Sequence, residues 1–109
     1  MKSAPHDANG KVRLDKWLWA ARFFKTRALS TEAIDKGRVQ VNGQNAKPSR
    51  EMKTGDTLEL RIGTEARTLT VKGLSGVRGP APVAALLYEE TAESVERRRA
   101  AAEQRRLAP

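Results

Sequence analysis

Between Arg13 and Asp56 the spacing of the apolar residues changes once, and the residues that mark the change leave few folds open. Leu14, Trp17, Leu18 and Ala21 recur at i, i+3, i+4 and i+7, which places them on one face of a helix. Thr26 stands where an N-cap is wanted, since its hydroxyl can accept an orphan N–H of the next helix. Leu29, Ala33 and Ile34 then form the buried stripe of that second helix. Gly37 occupies the left-handed position just beyond its end. The link around Phe23 to Lys25 is tight, so the pair is expected as a helical hairpin. Val39 and Val41 alternate with polar residues, as on a half-buried strand. Asn42-Gly43 follows; both central residues of a type I′ turn need positive φ, which Asn-Gly supplies at low cost. Residues 44–46 return, and Pro48, which has no amide hydrogen, ends the pairing.

Further along, Gly55-Asp56 marks a turn. Leu58, Leu60 and Ile62 alternate, as do Leu69 and Val71, with residues 63–66 joining the two strands. A Gly- and Pro-rich loop covers residues 73–82 and contains Arg78. Residues 83–88 read either as one more short strand or as an apolar strap over the sheet. Thr91 or Ser94 caps a final helix running to about Leu107, with Glu93 and Arg97 placed as an i, i+4 pair. The fold class is therefore α+β: a two-helix hairpin packed on a small, mostly antiparallel sheet, with a C-terminal helix. The expected core is Leu14, Trp17, Leu18, Ala21, Leu29, Ala33, Ile34, Val39, Val41, Leu58, Leu60, Leu69 and Val71. Residues 1–10 lack apolar periodicity and read as a disordered tail.

One domain is what 109 residues allow. The chain carries 21 Lys and Arg against 13 Asp and Glu, a net charge of +8 that is spread as +5 over residues 1–60 and +3 over residues 61–109. Such a surface attracts polyanions, chiefly nucleic acid or an anionic membrane. No apolar run approaches the ~20 residues of a spanning helix. The N-terminus has no hydrophobic signal segment, so no membrane partner is expected. With no cysteine there is neither a disulfide framework nor a thiolate metal site, and the simplest compartment is the cytoplasm.

Chemistry has little foothold. The one histidine, His6, lies in the tail with only Asp7 beside it, too few groups to hold a metal. The glycines of residues 73–79 lack the spacing of a phosphate cradle. Glu89 and Glu90 are neighbours that would face apart on a helix, and no base is placed to serve a Ser or Thr nucleophile. A core this small also has little to spare for an enclosed pocket. No cofactor and no enzymatic activity are expected.

A basic constellation is what the chain does offer. Arg13, Lys16, Arg22, Lys25 and Arg27 flank the first helix and its turn, Arg38 follows the second helix, and Lys47, Ser49 and Arg50 follow the hairpin. These positions bracket two turns, so a hairpin packed beside the helices would gather them on one side. Arginine forks match phosphate oxygens in pairs, and lysine adds mobile point charges. The amides that start the second helix, near Thr26 and Arg27, can hold a further phosphate. The competing reading is a solvated basic face. Trp17 lies on the apolar stripe and is expected in the core. Trp19 and Phe23 lie off it, and either stack on an unpaired base or pack beneath the strap, the simpler of the two readings.

Arg13-Leu-Asp15-Lys-Trp-Leu18, Arg22, Lys25-Thr-Arg27, Ala33-Ile34, Gly37-Arg-Val-Gln-Val-Asn-Gly43, Lys47-Pro-Ser49 and Gly55-Asp56 with Leu58 together resemble the RNA-binding domain named after small-subunit ribosomal protein four. Arg78-Gly-Pro-Ala-Pro82, then Leu87-Tyr-Glu-Glu-Thr91 and a basic, alanine-rich helix, are similar to the ribosome-associated heat shock protein fifteen family. The resemblance then runs from about Lys11 to the end. It implies the alpha-L motif of that RNA-binding domain over residues 11–73, with residues 74–109 as loop, strap and basic helix. It implies RNA contact by Arg13, Lys16, Arg22, Lys25, Thr26, Arg27, Arg38 and Lys47, with Ser49 and Arg50 beside them, and a turn at Asn42-Gly43 that aims Lys47. It further implies a free-standing protein, monomeric when free. Its partners would be ribosomal RNA and the large ribosomal subunit, with tRNA a further candidate. The implied role is recycling or rescue of subunits that still carry peptidyl-tRNA after heat stress. Some relatives are expected to carry a longer basic tail than the Leu107-Ala-Pro109 end.

Two other classes stand beside this one. Such domains often precede the catalytic modules of RNA-modifying enzymes, so the chain could be a detached accessory module, although it has no room for a catalytic partner. A DNA-binding protein built on the helical hairpin would need its second helix exposed to the major groove, where Glu32 and Asp35 oppose it.

Overall fold

The apolar stripe of the first helix is fully buried: Leu14, Trp17 and Leu18 have no exposed surface, and Ala21 almost none. The structure, a computed structural model, describes residues 11–108; the expected tail, with His6, lies outside the described residues. Helices α1 (Leu14–Ala20) and α2 (Arg27–Asp35) come first, then strands β1 (Val39–Val41), β2 (Gln44–Asn45), β3 (Thr57–Ile62) and β4 (Glu65–Val71). A short helix α3 (Ala81–Ala84), a 3-10 turn (Ala85–Leu87), strand β5 (Tyr88–Glu90) and helix α4 (Ala92–Leu107) complete the chain. The strands form one antiparallel sheet in the order β2-β1-β3-β4-β5. The architecture is the expected α+β one.

One face of the sheet carries Val39, Val41, Leu58, Leu60, Leu69 and Val71, all buried in a single cluster with the α1 stripe and with Ala33 and Ile34 of α2. Gln40, Glu59 and Thr68, paired across β1, β3 and β4, lie on the other face. Covering one face and leaving the other in water is normal for an antiparallel sheet. At the centre, the Trp17 indole donates to Gly73 O at 2.8 Å, which ties α1 to the loop after β4. Truncating an aromatic so buried costs about 3–5 kcal/mol, a large share of what a domain this small possesses.

The helix ends are built differently from one another. Helix α1 has no side-chain cap. Instead, Leu14 N–H donates to Arg50 O at 2.8 Å and Asp15 N–H to Pro48 O at 3.1 Å, so the backbone after the β1–β2 hairpin satisfies its first amides. Thr26 caps α2 as expected, its hydroxyl accepting from Leu29 N–H at 3.1 Å. Helix α2 ends in the left-handed turn that Gly37 (φ 76°) permits, with Gly37 N–H on Ile34 O and Arg38 N–H on Ala33 O, both 3.0 Å. The Asn42-Gly43 turn has φ of 53° and 82°, the type I′ signature.

Several expectations need correction. Leu29 is 44% exposed, and Ser30 takes the buried place on α2 with its hydroxyl bonded back to Thr26 O. Ser30 lies one turn before Ile34 on the same face, whereas Leu29 lies about 140° round the helix from Ile34. Ile62, outside the expected core, is 38% exposed because β3 has by then run out to the hairpin tip, where Ile62 pairs with Glu65. That tip turns on Gly63 and Thr64 alone, so Glu65 and Ala66 already belong to β4. Of the two readings of residues 83–88, the strand is confined to Tyr88 at the end of that stretch: Pro80 and Pro82 start a short helix, which leaves Val83 and Leu86 exposed. Arg97 turns to the Thr68 hydroxyl at 3.0 Å instead of pairing with Glu93. The core also includes Val12, Met52 and Ala84, which no periodicity marked.

Helix α4 is attached by polar contacts. Thr91 caps it, and Thr91 N–H continues the ladder onto Thr68 O at 2.9 Å. Beyond that point the β5 edge of β4 has no strand partner, and the wholly buried Ser94 supplies one: its Oγ accepts from Thr68 N–H at 2.8 Å and donates to Glu90 at 2.6 Å. Arg98 grips the same Glu90 carboxylate with two bonds, at 2.8 and 2.7 Å. These Arg98 bonds, with Ser94 assisting against the effect of burial, hold the Glu90 pKa down at about 2. The pair's contribution is therefore whole above the ordinary glutamate value near 4.5 and is lost as pH falls through 2. Thermal midpoints of the parent and Glu90→Gln should accordingly lie well apart at neutral pH and converge on acidification across that window; a gap that stays constant with pH would contradict it.

Candidate nucleic-acid interface

Two buried carboxylates organise the cations that the sequence singled out. Asp15, in the first turn of α1, is 3% exposed. Arg13 donates to it twice, Nε at 3.2 Å and Nη2 at 3.1 Å, and Arg27 reaches across from α2 to the same carboxylate at 3.3 Å. Both arginine side chains keep nearly half their surface in solvent. A guanidinium has five N–H donors, so each retains donors to present outward while its position is held from below.

Asp56 has the same role at the start of β3. It accepts from Asn42 Nδ2 at 3.2 Å, from Arg50 Nη1 at 3.1 Å and from Lys53 N–H at 2.8 Å. Burial alone would raise its pKa. The bonds from the Lys53 amide, the Asn42 amide and the Arg50 guanidinium outweigh that and hold it below the ordinary aspartate value. Asn42 Oδ1 in turn accepts from Thr57 N–H at 3.0 Å. The hairpin turn, the start of β3 and Arg50 are thus fixed to one anion. Pro48 and Arg50 are also the residues whose carbonyls cap α1, which sets Lys47, Ser49 and Arg50 beside the start of that helix.

The link between α1 and α2 is clamped from the far end of the chain. Arg78 Nη1 donates to Trp19 O at 2.5 Å and to Phe24 O at 2.9 Å, and its guanidinium lies 5.9 Å from the Trp19 ring centre. Arg22 answers by donating Nη1 to Gly79 O at 3.0 Å. Arg22 sits at φ 68°, where glycine is usual, and closes α1 with Arg22 N–H on Trp19 O and Phe23 N–H on Leu18 O. Phe23 packs against Tyr88 at 4.7 Å and Trp17 at 6.3 Å, which agrees with packing beneath the strap. Trp19 stays half-buried under Arg78.

The ten expected contact residues therefore fall into distinct settings. Arg13 and Arg27 share Asp15, and Arg50 pairs with Asp56. Arg22, Lys25, Lys47 and Ser49 are exposed, and among the described residues Arg22, Lys25 and Lys47 have no carboxylate within 4.0 Å. Lys16 is half-buried and lies along the loop after β4, where a Cβ on Gly76 would come within 3.0 Å of Lys16 Cε. The Thr26 hydroxyl accepts from Leu29 N–H, one of the amides considered for a phosphate. Arg38 stands in other surroundings, lining with Arg61, Gln40 and Glu59 an open pocket beside the sheet. Sequence reasoning passed over the organising roles of Asp15 and Asp56. An acid in the first turn of a helix is a common dipole partner, and nothing in its spacing says that two arginines from different helices will meet on it.

The S4 domain family matches residues 12–58. Heat shock protein 15 of Escherichia coli (strain K12) is 58% identical over 97 residues, spanning 89% of this chain and 73% of that protein. The RQC P-site tRNA stabilizing factor of Bacillus subtilis (strain 168) is 43% identical over 63 residues, spanning 58% of this chain and 73% of that protein. Among solved structures, the trimeric Vibrio cholerae Heat Shock Protein 15 superposes with a TM-score of 0.88 at 46% identity, covering 90% of this chain and 99% of the other.

The left-handed conformation at Arg22 has a measurable consequence. Arg22→Gly and Arg22→Ala both remove the bond to Gly79, but only alanine keeps the φ penalty, about 1 kcal/mol or somewhat more. The glycine variant should be the more stable of the two by roughly that amount in denaturant unfolding. Equal stabilities would mean that position 22 relaxes out of this conformation.

Proposed function

The chain belongs to the heat shock protein 15 family and carries an S4 domain, and on that premise we propose that it binds structured ribosomal RNA of the large subunit and acts in rescue of stalled subunits that carry peptidyl-tRNA. It works as a binding protein, without catalysis, in the cytoplasm. The observation that carries this reading is the cationic surface at α1, α2 and residues 47–50. There Arg13 and Arg27 are aimed by a buried carboxylate, while Arg22 and Lys25 are exposed in the α1–α2 link and Lys47 is exposed next to Pro48, whose carbonyl caps α1. Cations held on helix ends and a pinned turn match a fixed spacing of phosphates, and structured RNA is recognised largely by such backbone shape. No helix among the described residues is long and apolar enough to cross a membrane.

The name of the Bacillus relative, a P-site tRNA stabilizing factor, favours tRNA as a second contact of the same surface. The DNA-binding alternative is less well supported. Helix α2 is nine residues long and exposes Glu32, ion-paired to Lys36 at 2.8 Å, and Asp35, which a duplex groove would repel.

If about four to six phosphates are engaged, affinity for ribosomal RNA should fall by roughly two to three decades between about 50 and 200 mM salt. Lys25→Ala combined with Lys47→Ala should lower affinity and flatten the salt slope by about two, with the thermal midpoint nearly unchanged. The chain should sediment with large subunits and prefer ribosomal RNA to duplex DNA in competition. Salt-independent binding, or sedimentation with small subunits alone, would overturn the proposal.

A further inference from the structure

Helix α4 is longer than its own packing requires. Ser94 is its buried residue, and its last seven residues, 101–107, are all exposed. A helix that is polar all round needs some other reason to exist as a fixed element. Its charges are not distributed evenly. Glu96 and Glu103 lie on one side and are occupied by Arg99 and Arg106, at 2.8 and 2.5 Å. On the opposite side, Arg97, Ala101 and Arg105 follow at steps of four, with Arg98 beside them.

That second side faces a groove. Arg97, Arg98, Ala101 and Arg105 form one wall of an open pocket of about 210 Å³, and the tip of the β3–β4 hairpin, Thr64 to Ala66, forms the other. Ala66 also borders the neighbouring pocket of about 260 Å³ in which Arg38 and Arg61 lie. The two concavities therefore adjoin. Arg98 is committed to Glu90, and Arg67 to Glu65. Arg38, Arg61, Arg97 and Arg105 have no carboxylate within 4.0 Å among the described residues, and Glu59 is the one unpaired acid among them that lines either pocket. Arg97 is oriented by its bond to the Thr68 hydroxyl. The anchored Arg98–Glu90 pair fixes the helix at the point where the groove begins.

We propose that this groove is a second RNA-binding face, in which Arg38, Arg61, Arg97 and Arg105 track the sugar–phosphate backbone of an RNA segment. It lies outside the α1–α2 surface and adjoins the sheet's solvated side. Charge complementarity selects the occupant: four arginines line the groove with no carboxylate within 4.0 Å among the described residues, against the one unpaired acid Glu59. Arginine suits the task because its planar fork matches phosphate oxygens and stays charged at any physiological pH.

The test uses the full chain and a ribosomal RNA fragment to which it binds, read against salt. Arg97→Gln with Arg105→Gln should weaken binding about three- to tenfold and lower the salt slope by about two, with an unchanged thermal midpoint. Arg99→Gln with Arg106→Gln removes the same charge from the opposite side and should have a clearly smaller effect. Equal losses from the two pairs would reduce the groove to general electrostatics and overturn the proposal. So would an unchanged affinity in the groove variant, or a loss of binding confined to polyglutamate, which would assign the groove to an acidic protein. Combined with Lys25→Ala and Lys47→Ala, the losses should add, as for separate contact faces. A loss from the lysine pair without one from Arg97 and Arg105 would refute the groove alone. No loss from the lysine pair would refute the α1–α2 reading and leave the groove to be judged on its own data.

Discussion

The N-terminus of α1 rests on carbonyl oxygens borrowed from another region of the chain, and much of the structure follows from that contact. A helix begins with amides that its own backbone cannot satisfy. Here no side chain answers, and the Pro48 and Arg50 carbonyls do. The segment after the β1–β2 hairpin is therefore bound to the helix, with Met52 N–H returning to Val12 O at 2.8 Å on the other side of the crossing. Val12 and Met52 are buried as a result. Lys47, Ser49 and Arg50, distant in sequence from Arg13, become its neighbours. A side-chain cap would have served α1 as well locally and would have left the hairpin free.

Acidic residues do the aiming in a protein whose surplus charge is positive. Asp15 and Asp56 are buried carboxylates, and burying an anion is costly unless it is paired and hydrogen-bonded. Each is satisfied by arginine together with other donors or a second arginine, and each pins a guanidinium side chain that stays partly exposed. Loose side chains would lose rotamer entropy on meeting a phosphate. Those held in place have surrendered some of it already during folding. Glu90 repeats the device at α4, where Arg98 and Ser94 fasten the helix to the sheet edge. Thus three acids set the geometry for cations that the sequence presents only as an excess.

Legibility differed between kinds of feature. Trp17, Gly37, Thr26 and Asn42-Gly43 could be placed correctly because each answers a local demand: a helical face, a positive φ, an orphan amide, a tight turn. Leu29 could not, because apolar spacing of one helix does not say how closely its neighbour approaches, and Ser30 is what the approach admits. Val12 and Met52 carry no period at all. Val83 and Leu86 left a strand and a strap equally open, and proline at the start of that stretch favoured a helical turn. The positions of the basic residues were legible as types, and the settings that separate Arg38 from Arg13 were not.

What the order of residues settles here is local: where helices start and stop, which way strands alternate, where the chain must turn, and that the surface is cationic. Each of these depends on interactions within a few residues, which sequence spacing encodes directly. Which arginine lies over which carboxylate, which carbonyl caps α1, and which face of α4 borders a groove depend on contacts between segments as much as 59 residues apart, as between Arg78 and Trp19. Those contacts depend on the closed core, because the buried Trp17 cluster holds the segments together and polar pairing fixes how they meet.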